Sequence, residues 1–179
     1  QIAWEIVNKI ADYLDSNDCV IYIVDHKKKT LEQLAVYGQK LDEGKKIKNK
    51  LIIPIGEGIV GSVVKTGVSE IIKDTSIDKR YIVDDAIRFS EITVPIIIDG
   101  EVIGIIDSEH SEKNHYSQKH IEVLESIANI VAIQLKTALS IRKLEETEEK
   151  NKQLLYELEN SNNELQEYAH IVSHDLKTP

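Results

Sequence analysis

Residues 91–109 read EITVPIIIDGEVIGIIDSE, two runs rich in isoleucine and valine on either side of Asp99-Gly100. A two-residue type I′ turn needs positive φ at both central positions, and Asp-Gly supplies it with little strain. Glu91–Ile98 and Glu101–Glu109 are therefore expected to pair as an antiparallel hairpin. Upstream, Cys19–Asp25 (CVIYIVD) is a short β-branched run suited to a strand buried on both faces. Leu31–Gly38 follows it as a second strand after the polar turn His26–Thr30, and Gln39–Lys50 reads as a lysine-rich surface loop. Leu51–Ile55 and Val68–Asp74 are further strand candidates; Pro54 cannot donate to a ladder and confines the former to an edge. Apolar residues recur at helical spacing from Ile2 to Leu14 and through Glu57–Thr66, where Gly67 is placed to cap the end. Strands joined by hairpins, with helices before and after, indicate an α+β domain with a largely antiparallel sheet.

A long helix is expected from Ser117 almost to the end, because there is no proline between Pro95 and Pro179 and no glycine after Gly104. Its first part carries Leu124, Ile127, Ala128, Val131 and Leu135, dense enough to pack on a globular body. Beyond Ile141 a heptad sets in: Leu144, Asn151, Leu158, Leu165 and Val172 lie seven apart, with Glu148, Leu155, Asn162, Ala169 and Leu176 four further on. That pattern predicts a parallel homodimeric coiled coil with polar interruptions, weakest between Ile141 and Asn151, where the apolar stripe shifts phase.

The chain has 179 residues and a net charge of -9, which speaks against a partner as anionic as nucleic acid. Its longest apolar run, Ile92–Ile98, is far below the roughly 20 residues of a spanning helix, so no membrane segment is expected. A single cysteine, Cys19, excludes an internal disulfide and fits a reducing, cytoplasmic compartment. With no methionine, the chain reads as a piece of a longer protein.

Gly56-Glu57-Gly58-Ile59-Val60-Gly61 matches a dinucleotide fingerprint by letter. It lacks the βαβ context, so a tight turn feeding a short helix is the expected reading. His110, His115 and His120 are spaced by five and share no helical face, which makes them surface histidines rather than metal ligands. Cys19, inside an apolar strand, reads as a small buried hydrophobe. The loop Thr75–Ser90 is long enough to be functional: Tyr81 and Arg88 are expected to cap a cavity over the sheet near Asp107, for a hydrophobic or small anionic metabolite.

The stretch Tyr168–Pro179 (YAHIVSHDLKTP) resembles the phosphoacceptor box of sensor histidine kinases: a histidine, an acid, two residues, a threonine, then proline. His174 lies about 200° around the helix from Val172, hence away from the seam, and Thr178 shares its face. The resemblance implies that His174 accepts phosphate, that Asp175 orients and deprotonates its ring, and that Thr178 places water for dephosphorylation of a receiver domain. ATP and Mg²⁺ would act in the parent, on an ATP-binding domain outside this chain.

Residues 1–139 are similar to a GAF domain, on the strength of Ile55–Gly61, of Thr93-Val94-Pro95-Ile96 and of Gly100–Ser108. That family implies an antiparallel sheet of about six strands between helices. The Asn-Lys-x-x-Asp motif of cyclic-nucleotide-binding members is absent, and Cys19 does not stand where bilin-binding members attach chromophore. The resulting expectation has a GAF-like sensory domain at 1–139, a coiled-coil signalling helix at 140–168 and the start of a histidine-phosphotransfer domain at 169–179. The parent would be an ATP-dependent protein histidine kinase serving a response regulator, its stimulus an unknown small molecule. Alternatives are a dimerisation or protein-interaction module without a small ligand, and a nucleotide-binding enzyme using Gly56–Gly61.

Overall fold

The computed structural model describes residues 2–40, 46–48 and 50–175. Helix α1 (Ile2–Leu14) is followed by β1 (Asp18–Asp25), β2 (Thr30–Tyr37), β3 (Ile52–Pro54), α2 (Gly58–Thr66), β4 (Glu70–Ile72), a 3₁₀ turn at Thr75–Ile77, β5 (Ser90–Ile98), β6 (Glu101–His110) and α3 (Gln118–Asp175). The strands form one six-stranded sheet in the order β3-β2-β1-β6-β5-β4, antiparallel at every junction. Asp99 and Gly100 have φ of 52° and 85°, the positive pair that a type I′ turn requires. Pro54 ends β3 on the outer edge of the sheet, where its missing N–H leaves no ladder bond unmade.

Alternation along the strands divides the core in two. One face carries Cys19, Ile21, Ala35, Ile92, Val94, Ile96 and Ile106, all buried. Against it pack Val7, Ile10, Ala11 and Leu14 of α1, at the three- and four-residue spacing of one helix face, and Ile121, Leu124, Ala128 and Ala132 of α3. The opposite face carries Val20, Tyr22, Leu31, Val36, Ile53 and Ile105, covered by Val60, Val63 and Val64 of α2.

The first turn of α2 needs glycine where it passes the edge strand. A Cβ on Gly61 would stand 2.8 Å from the Pro54 carbonyl oxygen, so the helix reaches the edge strand only with glycine there. Gly67 closes α2 in the left-handed region, its N–H donating to the Val63 carbonyl at 2.8 Å.

The chain falls into two structural units, residues 1–134 and 135–179. In the second, α3 leaves Leu144, Leu155, Leu158 and Leu165 each 60% or more exposed. Among the described residues no helix is long and apolar enough to cross a membrane.

Candidate functional site

The α2 face of the sheet changes character where α2 stops covering it. Glu91 pairs with Glu109 across β5 and β6, and Thr93 with Asp107, while Asp18 and Val20 of β1 lie opposite Glu109 and Asp107. Like charges directly opposite one another destabilise a sheet, so this register is costly as it stands. Glu91, Asp107 and Glu109 are all buried, and an oxygen from each lies within 4.8 Å of the other two. The Thr93 hydroxyl donates to Asp107 Oδ1 at 2.6 Å and stands 3.3 Å from Glu91 Oε1. Among the described residues, Glu109 Oε2 is buried without a hydrogen-bond partner.

These acids line a cavity of about 20 Å³ together with Tyr22, Lys40 and Asp84, under an apolar rim that includes Ile59 and Ile82. Lys40 is buried, not part of a solvated loop as its lysine-rich surroundings suggest. Its Nζ meets Asp18 Oδ2 at 2.5 Å and Asp84 Oδ2 at 2.7 Å, and Gln33 Nε2 donates to Asp84 Oδ2 at 2.7 Å. Asp84 thereby ties the segment before β5 to β1 and β2.

Farther along that segment, Arg80 grips Glu70 with both terminal nitrogens, at 3.1 and 2.8 Å, and also reaches Asp78 and Ser62. Tyr81 accepts from the Arg88 backbone N–H at 2.9 Å, and the Thr75 hydroxyl donates to the Arg88 carbonyl. Of the three pocket residues expected from sequence, Asp107 lines the cavity; Tyr81 and Arg88 brace the roof instead. Arg88 is buried, pairs with Asp85 at 3.4 Å and, among the described residues, leaves its Nε without a hydrogen-bond partner.

Burial drives the electrostatics here. It raises Asp107 to about 6, against the Thr93 hydrogen bond that pulls the other way. Glu91 and Glu109 are pushed well above the usual carboxylate range by burial and then by the Asp107 charge beside them. Asp18 rises to about 6 for the same first reason, with Lys40 opposing. Burial disfavours the Lys40 charge, but Asp18 and Asp84 outweigh it and hold the ammonium above its ordinary value. An acidic lining of this kind suits a cation, and the expected anionic metabolite would meet repulsion.

The histidines differ from their sequence reading. His110 ends β6 and is buried, its ring stacked on His115 with centroids 3.6 Å apart and planes 11° from parallel. His110 Nδ1 accepts from the Glu112 backbone N–H, and His115 Nε2 bonds the Leu14 carbonyl. A ring nitrogen of each histidine and a Glu112 carboxylate oxygen lie within 4.8 Å of one another, and the stacked pair joins β6, α1 and the start of α3.

A GAF domain family model matches residues 1–136. The chain belongs to the GAF domain family. Among curated proteins, this GAF domain is 35% identical to Protein YtsP of Bacillus subtilis over 66 residues, 37% of this chain and 40% of that protein. It is 31% identical to the free methionine-R-sulfoxide reductase of Saccharomyces cerevisiae over 81 residues, 45% of each. The matches thus span less than half the length of these relatives. Among solved structures, the free methionine-R-sulfoxide reductase of Neisseria meningitidis, in complex with its substrate, superposes with a TM-score of 0.69 at 19% identity, over 78% of each chain.

The expectation of a protein histidine kinase is overturned: the enzymes this GAF domain resembles include free methionine-R-sulfoxide reductases, and the family match is to a GAF domain. Helix α3 runs through positions 174 and 175. The side chains of His174 and Asp175, and all of Thr178, lie outside the described residues.

Proposed function

We propose that this GAF domain is a sensory module that binds a small, positively charged ligand at Glu91, Asp107 and Glu109 without transforming it. The observation that carries the reading is the buried carboxylate cluster around the cavity, with one oxygen of Glu109 unpartnered. Buried charges and polar atoms are stable only when paired, and a cationic group supplies the missing partner. The named relatives support a small molecule: free methionine sulfoxide is an amino acid and carries an ammonium group. A cavity of about 20 Å³ holds one water rather than an amino acid, so such a ligand enters as Asp84 and Ile82 swing away.

Reductase chemistry does not transfer with the fold. Thiol-based reduction starts from an accessible thiolate. The one cysteine, Cys19, faces the opposite side of the sheet, is fully buried, and has its thiol pushed well up by that burial. Calorimetric titration with methionine sulfoxide and simple amines, of the wild type and of Glu109→Gln, tests the reading.

The exposed leucines of α3 favour a second element of the proposal, a parallel homodimer through residues 140–168. Leu144, Leu158 and Leu165 occupy one heptad position and Leu155 the other, all exposed in the single chain. Because α3 also packs Ile121, Leu124 and Ala128 on the sheet, it is the element that would carry the ligand state onward.

A further inference from the structure

With Asp84 and Ile82 in place, the cavity has room for a single ion. Resting on the reading of this cavity as the ligand site, we propose that Glu91, Asp107 and Glu109 hold a divalent cation of calcium or manganese size. The three ligand oxygens lie within 4.8 Å of one another. A divalent cation about 2.3–2.6 Å from each oxygen, the calcium range, fits among oxygens no farther apart than this. The volume of about 20 Å³ accommodates one ion or one water. Among the described residues Glu109 Oε2 is buried with no hydrogen-bond partner, and the Glu91–Glu109 pair sets two acids directly opposite each other. One cation between the carboxylates answers both costs together.

The surroundings fit that role. Thr93 holds Asp107 by one oxygen, the kind of outer hydrogen bond that orients a ligating carboxylate. Lys40 is engaged by Asp18 and Asp84, and Arg88 by Asp85; both act on Glu109 through space, and among the described residues neither forms an ion pair with the three acids. Charged and titratable groups around the cavity include Tyr22 and Asp18 of β1, Lys40 after β2, Tyr81, Asp84, Asp85 and Arg88 of the roof, and the three acids of β5 and β6. Bound metal requires ionised carboxylates, so uptake releases protons.

The full chain, stripped with chelator, is titrated with Mn²⁺ and Ca²⁺ at about pH 7.5, and Tb³⁺ emission is excited through the tyrosines, of which Tyr22 lines the cavity. The proposal expects one Mn²⁺ per chain by loss of the free-ion paramagnetic signal, a rise in Tm with Ca²⁺, and sensitised Tb³⁺ emission that Ca²⁺ displaces. Glu109→Gln and Asp107→Asn should each weaken binding by at least about tenfold, while Glu125→Gln, far from the cavity in sequence and exposed, leaves it unchanged. Failure of wild-type protein to bind Mn²⁺ at about 1 mM, or equal binding in both cavity variants, overturns the proposal. If methionine sulfoxide then still binds and loses affinity in Glu109→Gln, the cavity reading survives without the metal; if neither ligand binds, both fall.

Discussion

At Glu91 a neutral isostere should make the metal-free protein more stable near neutral pH. In the fold, Asp107 is raised from 3.8 to about 6, and Glu91 and Glu109 are raised well above their ordinary value. Between the unfolded and folded values the native state therefore binds more protons, so stability falls as pH rises through this window, by on the order of 3 kcal/mol for Asp107 alone. His110 and His120, both lowered by burial first, contribute with the opposite sign, losing stability as pH falls below the ordinary histidine value. Comparing wild type with Glu91→Gln cancels that background. The variant should melt several degrees higher at about pH 7.5, at roughly 2–4 °C per kcal/mol, and should show a smaller Tm difference between about pH 5 and pH 7.5. An unchanged difference would mean the acids are not electrostatically strained. Asp107 was legible in the sequence as an acid beneath a long loop; Glu91 and Glu109 were not, and neither was Lys40. An unbroken ladder from the Asp99-Gly100 turn would set Glu91 opposite Ser108, but the irregularity at Ile96/Ile97 shifts the register by one and brings Glu91 to Glu109. No composition rule signals that shift. Lys40 escaped because its burial depends on Asp18 and Asp84, 22 and 44 residues away in sequence.

Among the elements, the segment between the 3₁₀ turn and β5 roofs the cavity and is held by few side chains. Arg80 fastens it to β4 through Glu70 and to α2 through Ser62. Arg80→Ala should therefore speed amide hydrogen exchange at Tyr81–Phe89 while leaving that of β1, β5 and β6 nearly unchanged, since local opening and global unfolding are separate processes. Equal exchange in variant and wild type would show the roof to be held by other contacts. The hairpin, the edge position of Pro54, the short α2 and the long α3 were all readable, because each depends on local rules of turn, ladder and periodicity. The roof was readable only as a loop: its structure comes from side chains of Arg80, Asp84 and Thr75 reaching distant partners. The histidine stack is similar, since it arises from the way β6 turns back toward α1 and not from any spacing within a helix.

For the whole molecule, assembly and ligand binding are separable claims. Burying each exposed leucine of α3 against a second copy stabilises by about 1.5–3 kcal/mol, enough for several together to favour a dimer despite Glu148, Asn151 and Asn162 at neighbouring heptad positions. Sedimentation at tens of micromolar should report a dimer, and Leu158→Asp a monomer whose β-sheet signal by circular dichroism is unchanged; a monomeric wild type would refute the pairing. The family could be read from Ile55–Gly61 and the hairpin because those motifs build the fold. The kinase reading instead rested on about a dozen residues at the end of α3, beyond the matched 1–136. The central claim is that the carboxylate cavity is where this GAF domain takes its ligand. Titration calorimetry of wild type and Glu109→Gln with methionine sulfoxide, simple amines and Ca²⁺ tests it most directly. The account predicts that at least one of these ligands binds the wild type with one site per chain and binds Glu109→Gln at least about tenfold more weakly; binding of equal strength to both proteins, or no binding to either, would contradict it.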